Sequence, residues 1–137
     1  MGKLHLEVVT PAKITVSQDV DMVVAPGSLG EFGILEGHVP FLSGLMPGEL
    51  RYTVDDKTEF LAVTSGFAEI SDDNVSILVD AAETAQEIDF ERAKQSMERA
   101  KERLEKKARS AEDIDFIRAE AALKRALMRI KVVEKIQ

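Results

Sequence analysis

The hydrophobic pattern of this chain changes its period once. Through the first 83 residues apolar side chains alternate with polar ones, as at Leu4, Leu6 and Val8, which is typical of strands with one buried face. Runs of this kind recur between Gly, Pro or acidic turns, at the spacing of a sandwich or barrel. After that point apolar residues return every three or four positions, which indicates helices. We therefore predict an α+β protein, with a flattened β-sandwich or barrel over residues 1–83 and a helical unit over residues 84–137.

Two narrow apolar stripes run through the helical unit. The first consists of Phe90, Ala93, Met97, Ala100 and Leu104, and the second of Phe116, Ala119, Leu123, Ala126, Ile130 and Val133. Each stripe has the width that one partner helix can cover. The polar link between them, residues 107–113, is so short that the helices must run antiparallel, as a hairpin. Because four stripe residues are alanines, we expect the hairpin to be marginally stable and able to exchange one packing for another.

The charges divide at the same place as the period. Residues 1–83 carry four Lys and Arg against 14 Asp and Glu, whereas residues 84–137 carry 14 against 11. The acidic first part would repel a phosphate backbone, and the bases of the second part alternate with acids, so we expect no nucleic-acid partner. The chain has no Cys, which excludes disulfides and thiolate chemistry. No apolar run approaches the roughly 18 residues of a membrane span, so we expect no direct membrane insertion.

Catalytic and metal-binding patterns are missing from the sequence. A metal site would have to combine His5 on a strand, His38 in a loop and distant carboxylates, so we expect no metal site. The Gly-rich stretch 26–40 lacks the Gly-Lys-Ser/Thr ending of a phosphate loop and is expected to contain tight turns or bulges. Since no nucleophile motif is present either, we predict that the chain has no catalytic residues and is not an enzyme.

Arg125 and Arg129 stand one helical turn apart, so their positive charges repel each other unless an anion lies between them. They form either a solvated face or an anion clamp. The spacing alone leaves both interpretations open.

Three separated motifs resemble one protein family. They are the segment from Gly30 to Pro40 (GEFGILEGHVP), the segment from Ser65 to Glu69 (SGFAE), and Ala81-Ala82-Glu83. Together they resemble the epsilon subunit of bacterial F-type ATP synthases, whose mitochondrial counterpart is delta. The resemblance implies a non-catalytic rotor subunit of the central stalk, bound to the gamma subunit and to the ring of c subunits. It also implies a peripheral location on the cytoplasmic face of the bacterial inner membrane.

The resemblance further assigns individual residues. It implies c-ring contacts for Glu31, Phe32 and Gly33 and a gamma contact for His38. On the hairpin it implies an ATP site formed by Glu83, Ile88, Asp89, Arg92, Ala93, Arg125 and Arg129. ATP would be a regulatory ligand there, and no obligatory cofactor is implied.

Inhibition of ATP hydrolysis is the regulatory role that the resemblance implies for the hairpin. When extended along gamma, the second helix would meet the catalytic beta subunits and the alpha subunits. The residues expected to make that contact are Arg118, Lys124, Arg125, Arg129 and Lys131.

An alternative of another class is a free-standing β-sandwich binding module with a helical dimerisation tail. It predicts a stable homodimer through the two apolar stripes, whereas the rotor hypothesis predicts a monomer that pairs with gamma.

Overall fold

The computed structural model describes residues 3–107 and 114–135. Within them the chain forms ten strands and then two helices. The strands are β1 (Leu4–Val9), β2 (Ile14–Val20), β3 (Met22–Gly27), β4 (Gly30–Ile34), β5 (Phe41–Leu45), β6 (Gly48–Val54), β7 (Lys57–Val63), β8 (Gly66–Ser71), β9 (Asn74–Val79) and β10 (Ala82–Thr84). The helices are α1 (Phe90–Lys107) and α2 (Ile114–Glu134). The predicted fold class is confirmed. The division predicted after Glu83 falls inside β10 and stays a prediction.

The strands form one hydrogen-bonded sheet in the order β10-β7-β6-β3-β5-β8-β9-β1-β2, with β4 paired to β3. The pairing of β3 with β5 joins Gly27 to Leu45 and connects the two layers of a flattened sandwich. Alternate residues of both layers point inward. The fully buried large side chains of this core include Leu4, Leu6, Ile34, Leu50, Leu61, Ile70 and Ile77. The period-two alternation of the sequence therefore corresponds to one buried and one outward face of each layer.

Two of the predicted turns are two-residue hairpin loops. Asp55 and Asp56 join β6 to β7, and Asp72 and Asp73 join β8 to β9. All four aspartates have positive φ, between 48° and 65°. Such values are characteristic of type I′ turns, in which Asp is tolerated because its side chain can hydrogen-bond locally. These loops fix the register of both hairpins.

The helices pack against each other along the predicted stripes. The buried alanines alternate with larger, partly buried residues, and both sets belong to the two stripes: Ala93, Ala100, Ala119 and Ala126 are buried, and Met97, Leu104, Leu123 and Ile130 are partly buried. The side chain of Phe116 and the link at residues 108–113 lie outside the described residues. The stripes are thus used within one chain, as an antiparallel hairpin.

The hairpin docks on the outer face of the sandwich through its second helix. α2 contacts β6 and β7. A second apolar cluster forms there, separate from the sandwich core, and consists of Ala62, Ala85, Ile88, Val132 and Val133 with Phe60, Phe90 and Met128 at its margin. We call it the docking cluster. It is much smaller than the sandwich core, so the hairpin is the more weakly held part.

His5 lies on the outward face of β1, between two carboxylates. Its Nδ1 is 3.0 Å from Asp19 Oδ1, and its Nε2 is 3.4 Å from Glu7 Oε1. The hydrogen bond with Asp19, and then that with Glu7, raise the pKa of His5 above its ordinary value of 6.5. Because folding favours the protonated ring, this contribution to stability is complete below pH 6.5 and is lost as the pH rises through the higher folded-state pKa.

We therefore expect the imidazole NMR signals of His5 to titrate with a midpoint above 6.5. Asp19→Asn should lower that midpoint, because it removes the main partner, while Asp80→Asn at an exposed position should not change it. An equal midpoint in all three proteins would contradict the role of Asp19.

None of the described helices is long and apolar enough to span a membrane. Within the same residues, no group of three or more acidic or histidine side chains is arranged to hold a metal ion.

Candidate functional site

The junction between sandwich and hairpin brings together several of the predicted ATP-site residues. Arg129 on α2 donates from Nη2 to Glu83 Oε2 on β10 at 2.9 Å. Both side chains are partly buried, which shields the ion pair from solvent. Ile88 is buried in the docking cluster beside them. Two residues distant in sequence, Glu83 and Arg129, are thus in direct contact in the docked hairpin.

The segment between β10 and α1 is held by its own hydrogen bonds. Glu87 Oε1 accepts from both the backbone N–H and the hydroxyl of Thr84, at 3.2 and 2.9 Å. Lys13 on the sandwich lies 3.0 Å from Glu87 Oε2. The bond from Lys13, followed by those from Thr84, lowers the pKa of Glu87 below its ordinary value of 4.5. This segment therefore fixes where α1 begins.

Asp89 caps the first helix. Its Oδ1 accepts from the backbone N–H of Arg92 at 3.1 Å, and its carbonyl accepts from the N–H of Ala93 at 3.0 Å. The predicted residues Asp89 and Arg92 are exposed at the helix N-terminus, and Ala93 is buried against α2. Arg125 is exposed on α2, one turn before Arg129. An anion at this end of the hairpin would meet the positive end of α1 and the guanidinium groups of α2.

The residues predicted for inhibition all lie on α2. Arg118, Lys124, Arg125 and Lys131 are exposed, and Lys124 pairs with Glu120 at 3.4 Å. Arg129 is instead held by Glu83. In the docked hairpin, most of this basic set therefore faces solvent.

The residues predicted for c-ring contact lie on β4, which forms a hairpin with β3. Glu31 accepts from Arg51 Nη1 at 2.9 Å, and Gly33 is exposed with open space around it. Phe32 is partly buried against the sandwich core and meets the ring of Phe41 edge-on at a centroid distance of 5.5 Å. At the hairpin tip Leu29 is fully exposed.

His38 lies in the loop between β4 and β5, which is fastened to another turn. The backbone N–H of Gly37 donates to Asp73 Oδ1 at 2.8 Å. The ring of His38 has Nδ1 2.7 Å from the carbonyl oxygen of Val39 and lies edge-on to Phe41 at 5.9 Å. The loop therefore holds His38 in a defined orientation beside β5.

An apolar outer face follows β5, β8 and β9. Leu42, Phe67 and Leu78 are 69%, 59% and 50% exposed, and Phe67 stands directly opposite Leu78 across β8 and β9. The sequence analysis did not identify this face. The alternation could have revealed it, because the neighbours Ala68 and Ile70 point inward and so Phe67 must point outward.

One further group lies on the outer face of β6 and was not predicted either. Glu49 is only 9% exposed, and its Oε2 is 3.5 Å from Arg51 Nη1. A buried carboxylate is rare unless it is paired. In the sequence Glu49 is one acid among the many of residues 1–83, so nothing marked it as buried.

Family models match both parts of the chain. Residues 3–85 match the model described as "ATP synthase, Delta/Epsilon chain, beta-sandwich domain", and residues 86–134 match "ATP synthase, Delta/Epsilon chain, long alpha-helix domain".

Curated relatives agree with these matches. The ATP synthase epsilon chain of Nitratidesulfovibrio vulgaris (strain DP4) is 50% identical over 101 residues, which cover 74% of this chain and 75% of the relative. That of Syntrophobacter fumaroxidans is 53% identical over 102 residues, covering 74% and 76%.

Solved structures share the fold. A chain of the Euglena gracilis mitochondrial ATP synthase matches with a TM-score of 0.69 and 22% identity, covering 99% of this chain and 80% of its own. A chain of the Tetrahymena thermophila mitochondrial ATP synthase, in a structure of the central stalk and c-ring, matches with a TM-score of 0.53 and 18% identity, covering 99% and 98%. With both domains matched in order and relatives at about half identity, the chain belongs to the epsilon-subunit family of bacterial F-type ATP synthases.

Proposed function

We propose that the chain is a non-catalytic rotor subunit of the ATP synthase central stalk, and that its hairpin regulates ATP hydrolysis. The observation that carries the regulatory part is the manner of docking. The hairpin is attached to the sandwich by the small docking cluster and by the ion pair of Arg129 with Glu83. An element held by so few contacts can leave its site when a partner offers a better surface.

The apolar face of β5, β8 and β9 supports binding to the gamma subunit. Large exposed apolar side chains gathered on one sheet face usually mark a protein interface. Leu42, Phe67 and Leu78 form such a surface, and the loop that orients His38 leads directly into β5, the strand that carries Leu42. A gamma contact at His38 would then extend an interface whose centre is the apolar face.

The β3–β4 hairpin supports binding to the c ring. It presents Leu29 at its tip and Glu31 and Gly33 along β4. Arg51 holds the carboxylate of Glu31, so this polar group is offered in a fixed position. Contact with both gamma and the ring of c subunits would place the protein on the cytoplasmic face of the bacterial inner membrane as a peripheral subunit.

The end of the hairpin near Asp89 supports binding of ATP as a regulatory ligand. The α1 N-terminus and Arg92, Arg125 and Arg129 provide positive charge for phosphates, and the Asp89 carboxylate can accept from the exocyclic amine of a purine. A phosphate at Arg129 would replace or share its contact with Glu83. By binding residues of both helices, ATP would stabilise the folded hairpin through mass action.

The opposite state is the extended hairpin, which inhibits hydrolysis. In that state α2 would leave the sandwich and present Arg118, Lys124, Arg125, Arg129 and Lys131 to the beta and alpha subunits. Because these charges already lie mostly on the solvent side of α2, extension requires only the loss of the docking contacts.

Reconstituted complexes test both states in one experiment. A chain ending at Glu87 keeps β10 and its pairing with β7, and so it should still assemble with gamma and the c ring. We expect the full-length chain to inhibit ATP hydrolysis at low ATP concentration, and we expect this inhibition to be relieved as the ATP concentration rises. The shortened chain should not inhibit hydrolysis at any ATP concentration. Arg92→Ala should shift the release to about tenfold higher ATP, because it removes one charge-assisted phosphate contact but no residue of the inhibitory set.

Each part of the proposal has its own contradicting outcome. Equal inhibition by the full and shortened chains would refute regulation by the hairpin. Release at the same ATP concentration in wild type and Arg92→Ala would refute the nucleotide site. Failure of the shortened chain to bind gamma would refute the assignment of assembly to the sandwich.

A further inference from the structure

Two buried polar atoms that belong to oppositely charged side chains lie at the contact between the sandwich and the docked hairpin. Within residues 3–107 and 114–135, three buried side-chain polar atoms have no hydrogen-bond partner. Two of them are Glu49 Oε1 and Arg129 Nε, and the third is Thr15 Oγ1. Leaving a buried charged group unpaired is costly, so native structures almost always supply a partner. Here one atom belongs to a carboxylate and the other to a guanidinium group.

Strand register places Glu49 close to the known partner of Arg129. Glu49 on β6 stands directly opposite Ala62 on β7, and Ala62 stands directly opposite Glu83 on β10. Directly opposite residues of antiparallel strands share a face, and neighbouring strands are about 4.8 Å apart. Glu49 and Glu83 are therefore about 10 Å apart at the backbone, with only the methyl group of Ala62 between them.

The second helix lies over this row. Met128 and Val132, on either side of Arg129, belong to the docking cluster together with Ala62. Arg129 reaches Glu83 with Nη2. The guanidinium group consequently lies over the same face of the sheet as Ala62 and Glu49. In this structure its ion pair is with Glu83, and its remaining N–H donors include the buried Nε, which a change of side-chain rotamer can turn toward Glu49.

Arg51 leaves Glu49 available for this contact. Its Nη1 is 2.9 Å from Glu31 Oε2 but 3.5 Å from Glu49 Oε2, so Glu31 is the closer partner. The other oxygen of Glu49, Oε1, is the unpartnered one. One carboxylate can thus face Arg51 with one oxygen and Arg129 with the other.

From this arrangement we infer that Glu49 is a second carboxylate partner of Arg129 and a positioning residue of the docked hairpin. Arg129 is held between Glu83 on β10 and Glu49 on β6, so that its charge ties α2 to two strands of the sandwich. Glu49 thereby sets how readily α2 leaves the sheet. Although Arg129 also belongs to the proposed nucleotide site, this inference concerns the docked hairpin without nucleotide and is tested without it.

The isolated full-length chain allows a direct test, because it contains no Cys and accepts a unique pair of labels. Spin labels at Lys57→Cys on the sandwich and Glu134→Cys on α2, both exposed positions, report docking as a distance distribution. We expect Glu49→Gln to raise the ratio of undocked to docked hairpin about tenfold, since it removes a charge-assisted contact while keeping the shape. Glu49→Asp, which keeps the charge, should raise the ratio of undocked to docked hairpin by a smaller factor. Glu36→Gln, the same change in an exposed loop, should leave the ratio unchanged.

A double-mutant cycle separates a direct contact from a general effect on β6. If Glu49 acts through Arg129, then Glu49→Gln should add almost nothing to Arg129→Gln. Additive effects of the two changes, or an unchanged ratio in Glu49→Gln, would overturn the inference.

The unmodified protein supplies an independent measurement if the variants fold poorly. The Nε–H signal of Arg129 should be visible by NMR and protected from exchange with water, because a carboxylate partner and burial both slow its exchange. A rapidly exchanging Nε–H would overturn the inference even if nucleotide binding is intact.

Discussion

Gly66→Ala is expected to destabilise the sandwich by about 3 kcal/mol or more, because among the glycines that the structure describes Gly66 is the one whose Cβ would lie closest to other backbone atoms. Gly66 begins β8 and stands opposite Val79 on β9. A Cβ there would lie 2.9 Å from both the Leu78 carbonyl carbon and the Val79 Cα, and closer still to the Leu78 carbonyl oxygen. These are backbone atoms of a strand that is paired on both sides, with β8 and with β1, so they cannot move away cheaply.

Urea unfolding of the full chain measures this effect, and Gly33→Ala is its matched control. Gly33 is also a strand glycine, but nothing lies within 4 Å of the position of its Cβ. We expect its replacement to change the free energy of unfolding by no more than about 1 kcal/mol in either direction, because alanine restricts the unfolded chain and its methyl group meets nothing in the folded one. Similar losses of stability at both positions would show that the close approach of backbone atoms at Gly66 does not cause the destabilisation.

Val132→Asp is expected to release the hairpin completely while leaving the sandwich folded. Val132 is fully buried in the docking cluster, which also contains Ala62 and Phe60. An unpaired carboxylate at this place would cost several kcal/mol, whereas the sandwich core contains none of the docking-cluster residues. Undocking is therefore the response of lowest free energy.

Leu127→Asp is the control, since Leu127 lies on the same helix but is 45% exposed. Spin-label distances should show an undocked hairpin for Val132→Asp alone, and the unfolding midpoint of the sandwich should agree for both variants. A docked hairpin in Val132→Asp, or loss of the sandwich together with the hairpin, would contradict the independence of the two units.

Local patterns predicted the elements of this fold well where one face of a strand or helix is buried. The alternation at Leu4, Leu6 and Val8 corresponds to β1, and the three- and four-residue steps correspond to α1 and α2. The secondary structure of the Gly-rich stretch 26–40 was harder to predict from local patterns. The stretch was expected to contain turns or bulges, and it also contains β4. This strand forms in spite of its glycines because it pairs with β3, where Phe32 packs closely over Gly27.

The complete set of residues in the candidate site could be predicted from the sequence only through the family resemblance. The family motifs assigned Glu83, Asp89 and Arg92 to the site, whereas the one-turn spacing from Arg125 had already marked Arg129 as part of a possible anion clamp. The structure brings Glu83 and Arg129 into contact and makes Asp89 the cap of α1. Their proposed roles in nucleotide binding remain predictions. Glu49 had no motif to identify it, because a carboxylate in an acidic lobe is ordinarily solvated.

The sequence by itself determined which segments are strands and which are helices and where the aspartate turns lie, because these depend on neighbours a few positions away. Its three separated motifs also identified the family that the chain resembles. The tertiary structure decided which charges meet. Glu49, Glu83 and Arg129 come from a central strand, the last strand and the second helix, and their proximity depends on the register of β6, β7 and β10 and on the docking of α2 over Ala62. The Asp55-Asp56 turn sets the register of β6 with β7, but no local pattern encodes how β10 pairs with β7 or where α2 docks, since both result from the burial of apolar surface by residues distant in sequence.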